Sequence, residues 1–154
     1  MVDNSAHVLT ISREYPHALN VVWEACTMPE ALVQWFGPKH APATSFIAEV
    51  MTGGRWRACL RGGDPEAPLY VSGRYLVIDP PTLLVYSFRW EGDNHEDGMG
   101  VDTEVTMTFE ALSALRTRVT LRQVGLVSEA SRQGHQQGWE SCLLRLGKYL
   151  AEYI

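Results

Sequence analysis

The side chains able to do chemistry in this 154-residue chain are few and scattered. His135 falls on the inward stripe of a C-terminal helical pattern. An imidazole there can act as a general base or orient a polar group of a ligand. No carboxylate stands at a spacing that would pair with it, so a satisfied or rim histidine is the competing reading. Tyr86 is the other acid–base candidate. Gln123 ends a strand pattern and offers its amide either to a ligand or to nearby backbone. Arg55, Arg57 and Arg61 alternate along one strand. Such a row fits an anion, or a solvated outer face that also guards an exposed strand from edge pairing. The run Asp93-Asn94-His95-Glu96-Asp97 is rich in oxygen ligands but lacks the spacing of a calcium loop. His7, His17, His40 and His95 show no zinc spacing. There is no Gly-x-Ser-x-Gly elbow, phosphate loop or dinucleotide fingerprint. The sequence predicts no catalytic set, no metal and no cofactor.

Aromatic and apolar side chains carry the stronger signal. Alternation puts Tyr86, Phe88 and Trp90 on one strand face, and Trp56, Ala58 and Leu60 on another. Met107 pairs with Phe109 in the same way, and Val119 and Leu121 with Gln123. From about Ser128 to Tyr153 the period becomes helical. His135, Trp139, Cys142, Leu143, Leu146 and Leu150 lie on one side, and Gln136, Glu140, Arg145, Lys148 and Glu152 on a solvated one. The predicted ligand-lining set is therefore Trp35, Trp56, Tyr86, Phe88, Trp90, Met107, Phe109, Leu121, Gln123, His135, Trp139 and Cys142. A ring-lined cavity and a filled core both fit this pattern. Gly134 and Gly138 inside the helix cost about 1 kcal/mol each against alanine. They imply either close approach to the sheet or space for a ligand.

The elements that must position these residues follow from turn chemistry. Strands are expected over His7 to Tyr15, Ser45 to Met51, Arg55 to Arg61, Leu69 to Ile78, Leu83 to Trp90, Asp102 to Ala111 and Arg116 to Val124. Breaks fall at Gly53-Gly54, Gly62-Gly63-Asp64-Pro65, Asp79-Pro80-Pro81 and the polar stretch from Glu91 to Gly100. Leu19 to Cys26 reads as a short helix. A second one reaches Trp35, begun by a Thr27–Glu30 capping-box spacing with Pro29 in its first turn. Consecutive strands with short connections make an antiparallel meander. The expected fold is α+β: six to seven strands in a curved sheet around one long helix, with two short helices after the first strand.

Net charge is −5 and the sequence pI about 5.5, which argues against nucleic acid as a partner. No basic face suits a membrane surface, and no apolar run has membrane length. Cys26, Cys59 and Cys142 read as buried, reduced thiols rather than a disulfide framework. The N-terminus has no secretory pattern, so a cytoplasmic protein is expected.

Three stretches carry a family resemblance. The first runs from Arg13-Glu14-Tyr15-Pro16 through Val22-Trp23-Glu24-Ala25, Thr27 and Pro29-Glu30 to Trp35-Phe36-Gly37-Pro38. The second holds Gly53-Gly54-Arg55-Trp56, then Gly73 to Asp79-Pro80-Pro81 and Leu84-Val85-Tyr86-Ser87-Phe88. The third holds Thr103-Glu104-Val105-Thr106, Phe109-Glu110, Gly138-Trp139, Leu143, Leu146 and Tyr149-Leu150. In this order the chain resembles the START-like helix-grip superfamily (SRPBCC). Within it, the chain is most similar to relatives of the C-terminal domain of the activator of the heat-shock-protein-90 ATPase. The resemblance implies one domain over residues 1–154, a helix-grip fold and a cavity for a small apolar ligand. Non-catalytic binding of a hydrophobic or amphipathic molecule is the expected function. The alternatives are a cyclase- or lyase-type enzyme using the same cavity, and a stress protein that meets a chaperone partner through its surface. Met28 stands where the family often has Asp, and Thr27 is expected to take over capping.

Overall fold

The computed structural model describes residues 7–62 and 67–153. The expected break at Gly63-Asp64-Pro65 lies outside them. The elements run β1 (Leu9–Tyr15), α1 (Leu19–Thr27), α2 (Pro29–Trp35), β2 (Ala43–Ala48), β3 (Arg55–Gly62), β4 (Ala67–Asp79), β5 (Leu83–Trp90), β6 (Thr103–Ser113), β7 (Arg116–Val124) and α3 (Glu129–Tyr153). The seven strands make one antiparallel sheet in the order β1-β7-β6-β5-β4-β3-β2. β2 to β7 form the expected meander. β1 adds to the far side of β7, and α1 and α2 carry the chain across to the opposite edge. The curved sheet with its long C-terminal helix is the helix-grip arrangement.

Period-two patterning sets the inner face. Trp56, Ala58 and Leu60 on β3, Leu84, Tyr86 and Phe88 on β5, and Val105, Met107 and Phe109 on β6 are all buried. On β7, Thr117, Val119, Leu121 and Gln123 are completely enclosed. The register puts Met107 opposite Leu121 and Phe109 opposite Val119, so facing residues come from adjacent strands. Leu143, Leu146 and Leu150 of α3 are likewise fully enclosed. At 1.5 Å per residue, α3 is about 37 Å long. Its C-terminal half is fixed to β1, where the Tyr15 hydroxyl donates to the Leu143 carbonyl at 2.8 Å. A Cβ at Gly147 would stand 3.4 Å from the Tyr15 ring, so the helix passes close to that ring.

Several expectations are corrected. Thr27 and Glu30 form no capping box. α1 and α2 abut at Met28, so Thr27 is the last residue of α1, and its hydroxyl donates to the Trp23 carbonyl four residues back (2.9 Å). β2 begins and ends earlier than expected, because Met51 to Gly54 make the turn into β3 and the Gly54 N–H donates to the Met51 carbonyl. The arginine row does not guard an edge. β3 is internal, between β2 and β4. Arg57 pairs with Glu91 at 2.9 Å and lies over the Tyr70 ring at 4.0 Å. Arg145 is not on a solvated face either. Its guanidinium donates to the carbonyls of Trp35, Phe36 and Gly37 (3.0, 3.0 and 2.7 Å) and of Gln34 (3.2 Å).

That clamp fixes the end of α2. The last carbonyls of a helix lack intrahelical donors. Gly37 follows with φ +88°, and a Cβ there would meet the Ala41 carbonyl oxygen at 2.6 Å. Removing the cation while keeping its bulk, Arg145→Met, should cost about 1.5–3 kcal/mol. A lower urea midpoint at unchanged slope would be the expected result. An unchanged midpoint would show that the carbonyls are equally well served by water.

Candidate functional site

The inner faces of sheet and helix do not enclose one large cavity. Beneath α1 and α2 the rings nearly fill the interior, leaving a void of about 20 Å³ lined by Trp35, Phe36, Trp56, Tyr86 and Met107 among others. This is room for about one water. Trp56 is the centre of the packing, with Phe46 stacked on it at 5.7 Å and Phe36, Tyr86 and Phe88 at 5.6–5.9 Å.

The usable space lies beside this cluster. A cleft of about 640 Å³ opens between the N-terminal half of α3, the segment Phe36 to Ala41, and the ends of β3, β4 and β5. Its floor and walls are Phe36, Leu60, Phe88, Trp90 and Trp139. Trp139 sits 5.8 Å from Phe88 and 6.0 Å from Phe36, centroid to centroid. Gly134 and Gly138 line the helix side, and a Cβ at either would meet no non-neighbouring atom within 4 Å. Of the two readings of these glycines, open space describes the structure. The segment after α2 is tied to the helix where the Lys39 N–H donates to Ser141 Oγ at 2.8 Å.

The polar groups are fixed by their neighbours. Gln123 accepts from the Trp139 indole N–H (2.8 Å) and donates to Thr103 Oγ1 (2.9 Å), whose hydroxyl donates to the Phe88 carbonyl (2.8 Å). This buried relay ties α3 to β7, β6 and β5. His135 is held at both nitrogens. Nε2 accepts from the Trp90 indole N–H (2.9 Å), and Nδ1 lies 2.7 Å from the Ser131 carbonyl, to which it donates. That assigns the neutral tautomer. Burial lowers the His135 pKa. Tyr86 is enclosed, burial raises its phenol pKa, and its hydroxyl meets Met107 Sδ at 3.7 Å. All three cysteines are buried and unpaired, and burial pushes the Cys142 thiol up to about 12. Among the described residues no cluster of His, Cys, Asp or Glu could hold a metal ion.

The predicted lining set is thus divided. Phe88, Trp90, His135, Trp139 and Cys142 lie on the cleft. Trp35, Trp56, Tyr86 and Met107 surround the small void. Phe109 packs edge-on against Trp23 at 5.1 Å, and Leu121 and Gln123 are wholly enclosed in the core, so these three line neither space. Sequence reasoning did not include the outer lip, Phe36 to Ala41, or Leu69, Asp97, Ser131 and Gln137. The helical stripe of His135, Trp139 and Cys142 and the Gly134–Gly138 spacing were the sequence signals that pointed to this side of the helix.

A curved antiparallel sheet gripping a long helix, open at one end into a ring-walled cleft, defines the START-like helix-grip class. The family model described as "Activator of Hsp90 ATPase homolog 1-like protein" matches residues 16–151, and the chain belongs to that family. Solved structures agree in fold. A protein from Arthrobacter aurescens superposes with a TM-score of 0.82 at 24% identity, covering 99% of this chain and 90% of its own. An AHSA1 protein from Silicibacter pomeroyi gives 0.79 at 23% identity, covering 94% and 97%. A protein from Staphylococcus epidermidis gives 0.77 at 24%, covering 100% and 95%. No curated protein matches the sequence significantly. Among the described residues no helix is long and apolar enough to cross a membrane.

Two measurements test this site as built. As pH falls through the ordinary histidine value of 6.5, the unfolded chain takes up a proton at residue 135 before the folded one, whose pKa is lower. The stability contributed by neutral His135 is present above 6.5 and lost as pH falls toward the folded pKa. Urea unfolding at about pH 7.5 and about pH 5 should show this loss, and His135→Gln should reduce it. Equal losses in the two proteins would count against a lowered pKa at His135. Separately, Gly134→Ala and Gly138→Ala should each stabilise the protein by about 1 kcal/mol, because helix propensity improves and nothing is displaced. Destabilisation by either would mean that the helix and sheet approach more closely than described.

Proposed function

We propose that this protein binds a small, mostly apolar molecule in the cleft beside α3 and does not transform it. The observation that carries this reading is the open space of about 640 Å³ against a continuous wall of rings, with two glycines facing it from the helix. The size falls within the range of small-molecule sites. Burial against the rings supplies the driving force, at roughly 25 cal/mol per Å² of apolar surface. The state of the polar groups favours binding over chemistry. His135 has both nitrogens engaged, and Tyr86 is enclosed away from the cleft with a raised pKa. Gln123 is now read as a support for Trp139 rather than a ligand contact. A single domain in the cytoplasm fits this reading, and one hydrophobic cluster running from Leu9 to Leu150 supports it.

Gly138→Phe tests the cleft more cleanly than Trp139→Ala, which would also orphan the Gln123 amide. A Cβ at residue 138 meets open space, and an unchanged circular dichroism spectrum of the variant would check that the fold is retained. Native mass spectrometry of the protein as purified from cells, repeated after denaturation, should release a small molecule from the natural protein and none from the variant. Absence of carried mass in both, with no change in tryptophan fluorescence on adding apolar aromatics, would refute the reading.

A surface role has one specific observation in its favour. Ile47 on edge strand β2 is 73% exposed and Met51 in the adjoining turn 61%. Together with the family description, this supports docking to a heat-shock ATPase as the second reading. Pull-down with that ATPase, lost in Ile47→Lys, is the expected outcome. No association would remove it.

A further inference from the structure

We propose that the cleft selects a cationic ligand, an apolar ring or chain carrying a protonated amine, over a neutral or anionic one of the same size. This rests on the binding reading above and adds the charge of what is bound. The ionisable side chains on the wall are Asp97, His40, His135 and the buried thiol Cys142, and among the described residues no lysine or arginine lines it. Asp97 stands exposed at the mouth, in the 3₁₀ turn His95–Asp97. One of its oxygens accepts from the Asn94 amide at 2.7 Å. None of the ion pairs of the described residues involves it. A negative charge therefore faces the cleft without an ion-pair partner among the described residues.

The walls point the same way. Aromatic faces carry the negative side of a quadrupole and attract a cation held over them. Phe36, Phe88, Trp90 and Trp139 offer such faces, and the two indole N–H groups that could have served an anion are used internally, on His135 and Gln123. His135 Nδ1 is engaged by Ser131, whose carbonyl lies at 2.7 Å and hydroxyl at 3.3 Å, and Ser141 Oγ accepts from the Lys39 backbone N–H. A carboxylate pressed against these rings would lose its water without gaining a charged partner. The N-terminus of α3 sets up an opposing field. It acts within the first turn, where Ser128 Oγ accepts the Ser131 N–H and the Glu129 carboxylate already sits. The overall charge of −5 draws cations rather than anions to the surface.

Isothermal titration with three naphthalenes of matched size separates the charge classes: 1-naphthylmethylamine, 1-naphthalenemethanol and 1-naphthoate. The amine should bind roughly tenfold more tightly than the alcohol, and the carboxylate most weakly. Asp97→Asn should weaken the amine several-fold and leave the alcohol unchanged, and added salt should do the same. Naphthoate binding as tightly as the amine would overturn the proposal. So would an amine-to-alcohol ratio that Asp97→Asn does not alter. Alcohol binding without any charge preference would remove this inference and keep the cleft as a binding site. Failure of all three ligands, with no carried mass in the purified protein, would remove both.

Discussion

One buried amide sets the geometry on which the cleft depends. Gln123 has no exposed surface and lies in an otherwise apolar core. Leaving such a group unpaired would cost about 1–3 kcal/mol. It is paired on both sides: its oxygen takes the Trp139 N–H and its nitrogen reaches Thr103. The indole is therefore fixed in rotation as well as in depth. From that pin toward the C-terminus, α3 is pressed onto the sheet through Leu143, Leu146 and Leu150. Toward the N-terminus its glycines face empty space. The helix is thus pinned at Trp139 and packed closely along one arm, while along the other it is joined to the sheet through the Trp90–His135 hydrogen bond beside an open space. The cleft is the space beneath the second arm.

The outer lip of that space is fixed by a different interaction. The chain leaves α2 in a sharp turn at Gly37, and four carbonyls around that turn converge on the single cation of Arg145. Arg145 belongs to the packed arm of α3, so the firmly held half of the helix also positions the loop that faces the open half. Phe36 is carried with it, in contact with Trp56, Phe46 and Trp139 at once. A rigid lip and a rigid helix leave a preformed space, which lowers the ordering cost of binding.

The strands and their facing were legible where period-two alternation survives, most cleanly in β5 and β7, and less so in β3, where Ala58, Cys59 and Leu60 are buried in succession. β5 and β7 fall at the residues where turn chemistry placed them. The long helix and its inward stripe were legible for the same reason. What the sequence concealed were pairings across large separations. Arg145 looks solvated on a helical wheel, but its side chain is long enough to reach carbonyls more than a hundred residues earlier. For Gln123 and His135 the sequence left a ligand contact and an internal partner both open, because the tryptophans that satisfy them lie on other elements. The lip from Phe36 to Ala41 has no periodicity at all, since it is held by Arg145 and Ser141 rather than by a repeating pattern. The error at Thr27 was local. Two helices share Met28 as the end of one and the start of the next, which leaves the threonine inside a helix, where its hydroxyl bonds back four residues.

The tryptophans show how amphipathic residues can build a wall without directional demands. Of the five in the chain, four have their N–H groups bonded within the protein: Trp35 to the Ala25 carbonyl, Trp56 to the Ser87 carbonyl, Trp90 to His135 and Trp139 to Gln123. Gly73 makes one of these possible, because a Cβ there would stand 2.7 Å from the Trp56 nitrogen. With their donors occupied, Trp90 and Trp139 present only ring faces and edges to the cleft. Such a surface rewards contact area and is indifferent to hydrogen-bond pattern. Discrimination among ligands by hydrogen-bond pattern must then come from the rim, where Asp97, His40 and Gln137 stand at the mouth. A wall that holds broadly and a rim that selects are separable in sequence. The buried polar pairs can stay constant while the rim residues vary, so one fold can serve different ligands without rebuilding its core.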